Sequence, residues 1–378
     1  MSVIIPAKAK ELRSLVKSDG TLTLSIENVE VPTPKAHEVI VKIEATAINP
    51  SDVAVVIGFS SLGTPEVFGT NEAPKTPIQI PPAYLPAYKG RFGMSLPGGN
   101  EGAGTVVAAG ADAQHLLGKV VALFGGNAYA QYRCVPAMSC MPMNEGTTAR
   151  EAAAACVNPL TVLGMVETMR MENHTAMINT AAASNLGQML VKVCKDDNIP
   201  LVNIVRKEAQ VELLKSIGAT HICNSSSPTF MKDLIAAVVA TGATLGFDAI
   251  GGGDMVDKLL SAMEAAEQKK ATSYSRYGSV THKQVYIYGG LAQTPTTLKR
   301  SYGMYWGVGG WLITPIIQRV GQEKFAQMRQ RVADEIKTTF KSEFYKEISL
   351  EEAILPDTIC AYSKQESGKK YLVNPFKI

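Results

Sequence analysis

The feature that most constrains the fold is a strand, a sharp turn and a helix between residues 176 and 195. An apolar run leads into the turn Thr180-Ala-Ala-Ala-Ser-Asn-Leu-Gly187, and the segment that follows, to Lys195, reads as helix. The unpaired N–H groups and the positive dipole end of such a helix favour an anion, which predicts a site for the pyrophosphate of a dinucleotide. Taken alone, the turn is equally compatible with a tight helix entry that binds nothing.

The next apolar run, Leu201-Val-Asn-Ile-Val205, ends on Arg206 and Lys207. Dinucleotide-binding folds usually have an acidic residue here that reads the ribose 2′-hydroxyl, whereas a cation suits the extra phosphate of NADPH. The sequence therefore predicts NADPH as the cofactor and Arg206 as the ligand of its 2′-phosphate. The alternative for Arg206 is a solvated cation at a strand end.

The remaining pattern predicts an α/β fold with two domains. Helix-like stretches and apolar runs alternate from residue 176 to about 288, which indicates a doubly wound parallel sheet, or Rossmann domain. Residues 11–44 and 102–135 alternate apolar and polar side chains between turns, which is typical of short antiparallel strands in a rolled sheet. A chain of 378 residues also exceeds what one hydrophobic core usually serves.

Composition excludes several classes of function. The net charge is +3 and charged residues make up 19% of the chain, so we expect no nucleic-acid partner and no membrane surface partner. No apolar run reaches the roughly 18–20 residues of a membrane helix, and no leader pattern opens the chain, so we expect a cytoplasmic protein. The six cysteines contain no C-x-x-C pair, which argues against a disulfide framework and against a zinc knuckle.

The segment from Gly58 to Pro97 is rich in proline. We expect it to contain no central strand or helix and to cover a binding site, with an inert surface excursion as the alternative. Its six internal prolines are Pro65, Pro74, Pro77, Pro81, Pro82 and Pro86.

Several blocks, in their order and spacing, resemble one family over most of the chain. This family is the zinc-independent quinone oxidoreductase and 2-enoyl thioester reductase branch of the medium-chain dehydrogenase/reductase superfamily. The resemblance implies a GroES-like catalytic domain at 1–157 and 316–378, and a Rossmann NADPH-binding domain at 158–315. The blocks are Val39-Ile-Val-Lys-Ile-Glu-Ala-Thr-Ala-Ile-Asn-Pro-Ser-Asp52, Leu96-Pro-Gly-Gly-Asn-Glu-Gly-Ala-Gly104, Val157-Asn-Pro-Leu-Thr161, Asn179 to Gly187, Ile204-Val-Arg206 and Tyr288-Gly-Gly-Leu-Ala-Gln293.

The same resemblance implies the residues of the site. Asn49, which is also the implied catalytic residue, and Thr161 would lie near the nicotinamide and ribose, and a C-terminal lysine, Lys369 or its neighbour Lys370, would approach the cofactor. Ser184 stands where the family often has a glycine, and its hydroxyl can donate to a phosphate oxygen. The other implied cofactor residues are Ala182, Ala183, Asn185, Leu186, Gly187, Arg206, Ile250, Gly251, Tyr288, Gly289 and Gly290.

The resemblance also predicts that no metal takes part. Zinc-dependent relatives have a cysteine in the Asn49-Pro-Ser-Asp stretch and a histidine where this chain has Asn100, beside Glu101. A neutral amide is a poor substitute for the thiolate and imidazole ligands of zinc. The five histidines have no spacing typical of ligands.

The predicted activity is NADPH-dependent reduction of a quinone or an α,β-unsaturated carbonyl, with a small-molecule electron acceptor as the only partner besides a second copy of the chain. The enoyl reductases of this branch have a tyrosine shortly after the Asn-Pro block, and Val55-Val-Ile-Gly-Phe-Ser60 contains none. Tyr84 is the predicted replacement, with Tyr88 as a second candidate, and packing is the alternative for both. The other hypotheses are a 2-enoyl-CoA/ACP thioester reductase, a non-catalytic NADPH sensor or scaffold, and a zinc-requiring alcohol dehydrogenase.

We also expect a homodimer, the commonest closed symmetry, in which the apolar strand near Val285 to Tyr288 pairs across the two-fold axis.

Overall fold

The structure is a computed structural model that describes residues 4–58, 68–70, 73–292, 294–366 and 368–377. It divides into two compact units, the first formed by Met1–Val157 with Arg329–Ile378 and the second by Asn158–Met328. Residues 59–67 and 71–72 of the proline-rich segment, and Gln293 of the last matching block, lie outside the described residues. Among the described residues, no helix is long and apolar enough to cross a membrane.

The elements are given in chain order. The N-terminal part contains β1 Lys8–Val16, β2 Thr21–Glu30, β3 Glu38–Ala47, α1 Pro50–Val56, β4 Phe68–Thr70, β5 Ala73–Gln79, β6 Ser95–Pro97, β7 Glu101–Ala109, β8 Val120–Phe124, β9 Tyr132–Pro136, β10 Cys140–Pro142 and α2 Ala149–Ala152, with 3₁₀ turns at Leu85–Arg91, Ala111–Leu116 and Ala137–Ser139. The central part contains α3 Val157–Met171, β11 Met177–Asn179, α4 Asn185–Asp196, β12 Leu201–Val205, α5 Glu208–Ser216, β13 His221–Asn224, α6 Phe230–Thr241, β14 Leu245–Asp248, α7 Met255–Lys270, β15 Lys283–Ile287, β16 Trp306–Gly310 and α8 Ile313–Glu335, which is interrupted at Gly321. The C-terminal part contains β17 Lys346–Ile348, α9 Leu350–Ala353, α10 Pro356–Ser363 and β18 Tyr371–Val373.

The first unit is built on two largely antiparallel sheets. One has the strand order β4-β5-β2-β1-β6, and the other has the order β10-β8-β7-β3-β18-β17 with β9 also paired to β3. The C-terminal strand β18 joins β3 antiparallel, with Leu372 opposite Ala47. This pairing brings the end of the chain next to the segment that follows β3.

The proline-rich segment does contain a strand inside a sheet, so the prediction that its prolines exclude one was wrong. The register of β5 explains why the strand tolerates them. Pro77 pairs with Thr23 of β2, and Pro74 pairs with Gly69 of β4. Within the described residues each proline is therefore paired on one side only, which is the edge-like position that a residue without an N–H can occupy.

The second unit has one six-stranded parallel sheet in the order β13-β12-β11-β14-β15-β16. Strands β12 and β14 are buried along their whole length, as expected for a sheet covered by helices on both faces. In chain order this is 3-2-1-4-5-6, the doubly wound arrangement in which the strand order reverses between β11 and β14. The predicted fold class, a Rossmann sheet together with a β-rich unit, is confirmed.

One detail of the dimer prediction was wrong. Strand β15 pairs with β14 on one side and with β16 on the other, so both of its edges are already used. It therefore cannot pair with a second copy of the chain. Among the described strands of this sheet, β13 and β16 are the two at its edges.

Candidate functional site

The predicted phosphate turn connects β11 to α4. Ser184 is the N-cap of α4, and its hydroxyl oxygen accepts the backbone N–H of Gly187 at 3.1 Å. The hydroxyl hydrogen thus remains available for donation. A Cβ on Gly187 would lie 2.2 Å from the carbonyl oxygen of Ala182, so only glycine permits this close approach of helix and turn.

A second turn lies beside the first, at the end of β14. The buried side chain of Asp248 accepts the Thr180 hydroxyl at 2.7 Å and the backbone N–H groups of Ile250 at 3.1 Å and Gly251 at 2.9 Å. Asp248 therefore ties the turn after β14 to the start of the phosphate turn. Sequence reasoning placed Ile250 and Gly251 near the cofactor but missed the roles of Thr180 and Asp248.

A third turn follows β15 and closes on the second. Gly251 has φ +74°, and a Cβ there would lie 2.5 Å from the carbonyl oxygen of Gly289. A Cβ on Gly289 would in turn lie 2.7 Å from the carbonyl oxygen of Ala249. The backbones of these two turns are in direct contact, which leaves no room for side chains between them.

The centre of this sheet edge contains an unsatisfied polar atom. Asn179, the last residue of β11, is fully buried, and its Oδ1 accepts the hydroxyl of Tyr288 at 3.3 Å. Burial raises the pKa of Tyr288 above its usual value, so the phenol stays protonated. The Asn179 Nδ2 is buried with no hydrogen-bond partner in the described structure, although a buried amide normally has one. A polar ligand that reaches the strand-reversal point would satisfy it.

The remaining predicted cofactor residues of this unit lie on its periphery or in its core. Arg206 directly follows β12 and is exposed, and its backbone N–H is held by Gln210 Oε1 at 3.0 Å. Asn185 and Leu186 form the first turn of α4, and Thr161 is buried within α3. Ala182 and Ala183 are buried, and Gly290 follows Gly289 in the turn after β15.

A cavity of about 620 Å³ opens at the carboxyl ends of β15 and β16. Its walls include Tyr286, Tyr288, Trp311, Ile316 and Arg319. Tyr286 donates its hydroxyl to Glu172 at 2.9 Å, and Arg319 pairs with the same carboxylate at 3.2 Å. The cavity lies at the same carboxyl edge of the sheet as the strand-reversal point between β11 and β14, where doubly wound sheets bind their ligands.

The first unit contains a buried polar cluster, formed by Asn49, Asp52, Glu101 and Lys370 and here called the Asn49 cluster. Asn49 donates its Nδ2 to Glu101 Oε1 at 2.7 Å, and its Oδ1 accepts the Lys370 Nζ at 2.8 Å. The second carboxylate oxygen of Glu101 accepts the backbone N–H groups of Cys156 and Val157 at 2.9 and 2.7 Å. These contacts fix the Asn49 amide with its oxygen facing the lysine.

Asp52 holds the backbone around this cluster. Its two oxygens accept the backbone N–H groups of Asn49 at 2.8 Å and Asn100 at 2.7 Å. Burial raises the pKa of Asp52 to about 7, with a contribution from the nearby Glu101, although both hydrogen bonds act in the opposite direction. The Asp52 carboxyl is therefore protonated more readily than that of an exposed aspartate.

The two neighbouring lysines that the resemblance implied, Lys369 and Lys370, lie in different environments. Lys369 is exposed and pairs with Glu366 at 2.6 Å, whereas it is Lys370 that contacts Asn49. Burial lowers the pKa of Lys370, while Glu101 and Asp52 oppose this shift. Of the two predicted lysines, Lys370 is therefore the one that contacts Asn49, and the approach of either lysine to the cofactor stays a prediction.

The two tyrosines proposed as replacements for the family's proton donor differ in placement. Tyr88 is buried in the core of the first unit, where it packs with residues such as Leu12 and Val16. Tyr84 has 39% of its surface exposed and precedes the 3₁₀ turn Leu85–Arg91. Phe59 and Ser60, at the end of the stretch where the family has its tyrosine, lie outside the described residues.

Within the described residues, no group of three or more histidine, cysteine, aspartate or glutamate side chains is arranged to hold a metal ion. At the place of the histidine of zinc-dependent relatives, Asn100 donates its Nδ2 to the Ser51 hydroxyl at 3.0 Å.

No protein-family model matches the chain. Among curated proteins, it is 26% identical over 212 residues to the mitochondrial enoyl-[acyl-carrier-protein] reductase of Caenorhabditis elegans, a match that covers 54% of the chain and 53% of that protein. It is 25% identical over 276 residues to the NAD-dependent alcohol dehydrogenase of Saccharolobus solfataricus, covering 68% of the chain and 77% of that protein. The chain thus spans only about half the length of the nematode reductase.

Comparison with solved structures covers the chain almost completely. The quinone oxidoreductase of Escherichia coli, solved with NADPH, superimposes with a TM-score of 0.68 at 17% identity, covering 98% of this chain and 100% of that one. At this identity the likeness concerns the fold. The chain accordingly has the fold of that quinone oxidoreductase, and the predicted similarity to quinone oxidoreductases and enoyl reductases is confirmed.

Proposed function

We propose that the protein is a metal-independent, NADPH-dependent reductase of the quinone oxidoreductase type, which transfers a hydride to a quinone or an α,β-unsaturated carbonyl. The observation that carries this proposal is the edge of the Rossmann sheet. Three features lie together at this edge: the turn that ends at Gly187, the turn held by Asp248, and the Asn179 Nδ2 without a partner in the described structure. Dinucleotides bind at this position in doubly wound sheets. The similarity to quinone oxidoreductase and enoyl reductase structures and sequences supports it.

The residues of the second unit fit the cofactor. The N-terminus of α4, with Ser184 and the amides of Asn185 to Gly187, would hold the pyrophosphate, and Ile250, Gly251, Gly289 and Gly290 would contact the rest of the dinucleotide through their backbones. When bound, NADPH supplies the hydride, so the chain itself needs no nucleophile. The protein's task is to orient the acceptor, exclude water and provide a donor for the oxygen on which negative charge develops.

The choice of NADPH over NADH depends on Arg206. Its exposed side chain at the end of β12 is available to a 2′-phosphate, and a charge-assisted contact of this kind contributes about 1.5–3 kcal/mol. We expect Arg206→Ala to weaken NADPH binding by about 10- to 150-fold while leaving NADH binding unchanged. Lys215→Ala, which removes an exposed cation from α5, is the matched control. Equal losses for both nucleotides in Arg206→Ala, measured by titration calorimetry, would contradict the assignment.

The acceptor class is tested by NADPH oxidation with a panel of a quinone, a small enone and an enoyl-CoA thioester. We expect the quinone and the enone to be reduced, because the stretch Val55-Val-Ile-Gly-Phe-Ser60, where the enoyl reductases have their tyrosine, contains none. Preference for the thioester would instead favour the 2-enoyl thioester reductase alternative, which the enoyl reductase relatives support. Binding of NADPH without oxidation by any member of the panel would identify a non-catalytic sensor or scaffold.

We further propose that the protein is a cytoplasmic homodimer in which β16 pairs with its copy. This strand lies at an edge of the described sheet, which is the position from which a second chain can extend a sheet. Sedimentation equilibrium of the purified protein tests the dimer.

A further inference from the structure

The ammonium group of Lys370 is held by one hydrogen bond in the described structure, which leaves part of its hydrogen-bonding capacity unsatisfied. An ammonium has three N–H donors, and in the described part of the chain Asn49 Oδ1, at 2.8 Å, is the one hydrogen-bond acceptor that Lys370 Nζ contacts. The Lys370 residue as a whole is half-buried. Two donors thus remain for a ligand.

The contacts of Asn49 explain why Lys370 is held in this position. The amide is clamped between Lys370 Nζ on its oxygen and Glu101 on its nitrogen, and Glu101 is itself anchored by two backbone N–H groups. An amide fixed from both ends cannot rotate to let the lysine move away. The side chain of Lys370 therefore has a defined direction, unlike the solvated lysine at position 369.

We propose that Lys370, oriented by Asn49, is the catalytic proton donor of the proposed reaction and binds the oxyanion that develops on the acceptor. This inference rests on the proposed function. As the hydride supplied by NADPH reaches the acceptor carbon, the electron pair of the conjugated system moves to the carbonyl oxygen. The Nζ–H bond of Lys370 then breaks and an O–H bond forms, which leaves a neutral amine that regains its proton from water. The acceptor is reduced and NADPH is oxidised to NADP⁺.

The surroundings of Lys370 support a transferable proton. Two acidic groups face it, Glu101 at the start of β7 and Asp52 in α1, and they favour the charged form of the amine. Burial acts more strongly and lowers the pKa of Lys370 below its ordinary value. A lysine with a lowered pKa gives up its proton more readily than a solvated one. It is therefore suited to the role for which the branch uses a tyrosine.

A phenolate mimics the oxyanion and tests the site without cofactor. We expect the cofactor-free protein to bind 4-nitrophenol in its yellow phenolate form at a pH about one unit below the pKa of the free compound. Lys370→Met, which keeps the length of the side chain but removes the charge, should weaken phenolate binding about tenfold or more. Lys369→Met is the matched control and should bind as the wild type does. Failure of the wild type to bind phenolate, or equal binding by Lys370→Met, would overturn the proposal.

A second variant separates binding of the oxyanion from donation of the proton. Lys370→Arg keeps the positive charge, but a guanidinium does not release a proton at accessible pH. We expect it to retain phenolate binding while the rate of acceptor reduction falls at least tenfold. In the wild type kcat/KM should fall as the pH rises through the pKa of Lys370, and this fall should be missing in Lys370→Arg. An unchanged rate and pH profile in Lys370→Arg would refute proton donation.

These results are distinguishable from failure of the proposed function. NADPH binding by the wild type, measured by fluorescence titration, tests the proposed function independently of Lys370. If the wild type binds phenolate through Lys370 but reduces no acceptor, the proposed reductase activity fails and the oxyanion site stands. If it reduces acceptors but Lys370→Met does so equally well, only the role of Lys370 fails.

Discussion

The Asp248 side chain offers the sharpest test of how the candidate cofactor edge is built. It is fully buried and accepts three hydrogen bonds, from the Thr180 hydroxyl and the backbone N–H groups of Ile250 and Gly251. Asp248→Asn preserves the size of the side chain but replaces one acceptor oxygen by an NH₂ group. If the remaining oxygen keeps Thr180 and Ile250, the new NH₂ group faces the N–H of Gly251, and neither donor is satisfied.

The magnitude follows from these contacts. A hydrogen bond to a charged group contributes about 1.5–3 kcal/mol, and a buried donor left without a partner costs about 1–3 kcal/mol. Because partial relaxation offsets some of this loss, we expect Asp248→Asn to lower the free energy of unfolding by about 2–4 kcal/mol. At roughly 2–4 °C per kcal/mol for a unit of this size, the Tm should fall by about 5–15 °C. The affinity for NADPH should fall about tenfold, since the Gly251 backbone is no longer held against Gly289.

Differential scanning calorimetry and fluorescence titration with NADPH measure the two effects. The matched control is Asp254→Asn, six residues further along, where the carboxylate is 47% exposed and pairs with Lys258 at 2.9 Å. A surface pair of this kind contributes at most about 1 kcal/mol, so the control should change Tm by only a few degrees. If Asp248→Asn loses no more stability than Asp254→Asn, the argument that Asp248 organises this edge is wrong.

Two further predictions concern the same unit. Gly187→Ala should abolish measurable NADPH binding and lower Tm, because its Cβ would lie 2.2 Å from the Ala182 carbonyl oxygen; calorimetric titration that gives wild-type affinity would contradict this. Burial opposes ionisation of Glu264, but hydrogen bonds from Lys283 and Ser279 outweigh it and lower its pKa to about 2, from an ordinary value of 4.5. A group with a lowered pKa stabilises the fold above its unfolded-state value and loses this contribution as the pH falls, so Tm should drop between about pH 4.5 and 2. Glu264→Gln should flatten that drop, whereas Glu212→Gln, in an exposed pair, should not.

Sequence patterns predicted those parts of the fold that are determined by residues close together in the chain. The change from alternating to helix-and-strand periodicity located the parallel sheet, and the turn ending at Gly187 located its strand-reversal edge. Both are properties of contiguous residues, since a helix entry and a buried strand each have a local signature. The proline-rich strand β5 escaped detection because its prolines are tolerated through the register with β2 and β4, which no local pattern reveals.

Local patterns also could not predict the key side-chain contacts within each unit, because these contacts join residues that are far apart in the sequence. Thr180 and Asp248 are 68 residues apart, and Asn49 and Lys370 are 321 residues apart. Which of Lys369 and Lys370 lies beside Asn49 depends on the register of the segment that leads into β18. Because successive side chains of an extended segment point to opposite sides, a shift of one residue exchanges a solvated lysine for one beside Asn49.

Cofactor binding and acceptor specificity depend on residues that are arranged differently along the sequence. A pyrophosphate is recognised largely by backbone groups of one contiguous turn, so the cofactor edge can be read from a short stretch of sequence. Proton donation and oxyanion binding instead require side chains with shifted pKa values, and burial among groups from distant segments produces such shifts. In this chain burial shifts the pKa values of Asp52 in α1 and of Lys370 before β18, and both side chains lie near Glu101 of β7. Under the proposed function, variation of the Asn49 cluster, more than of the phosphate turn, should therefore alter the preference among acceptors.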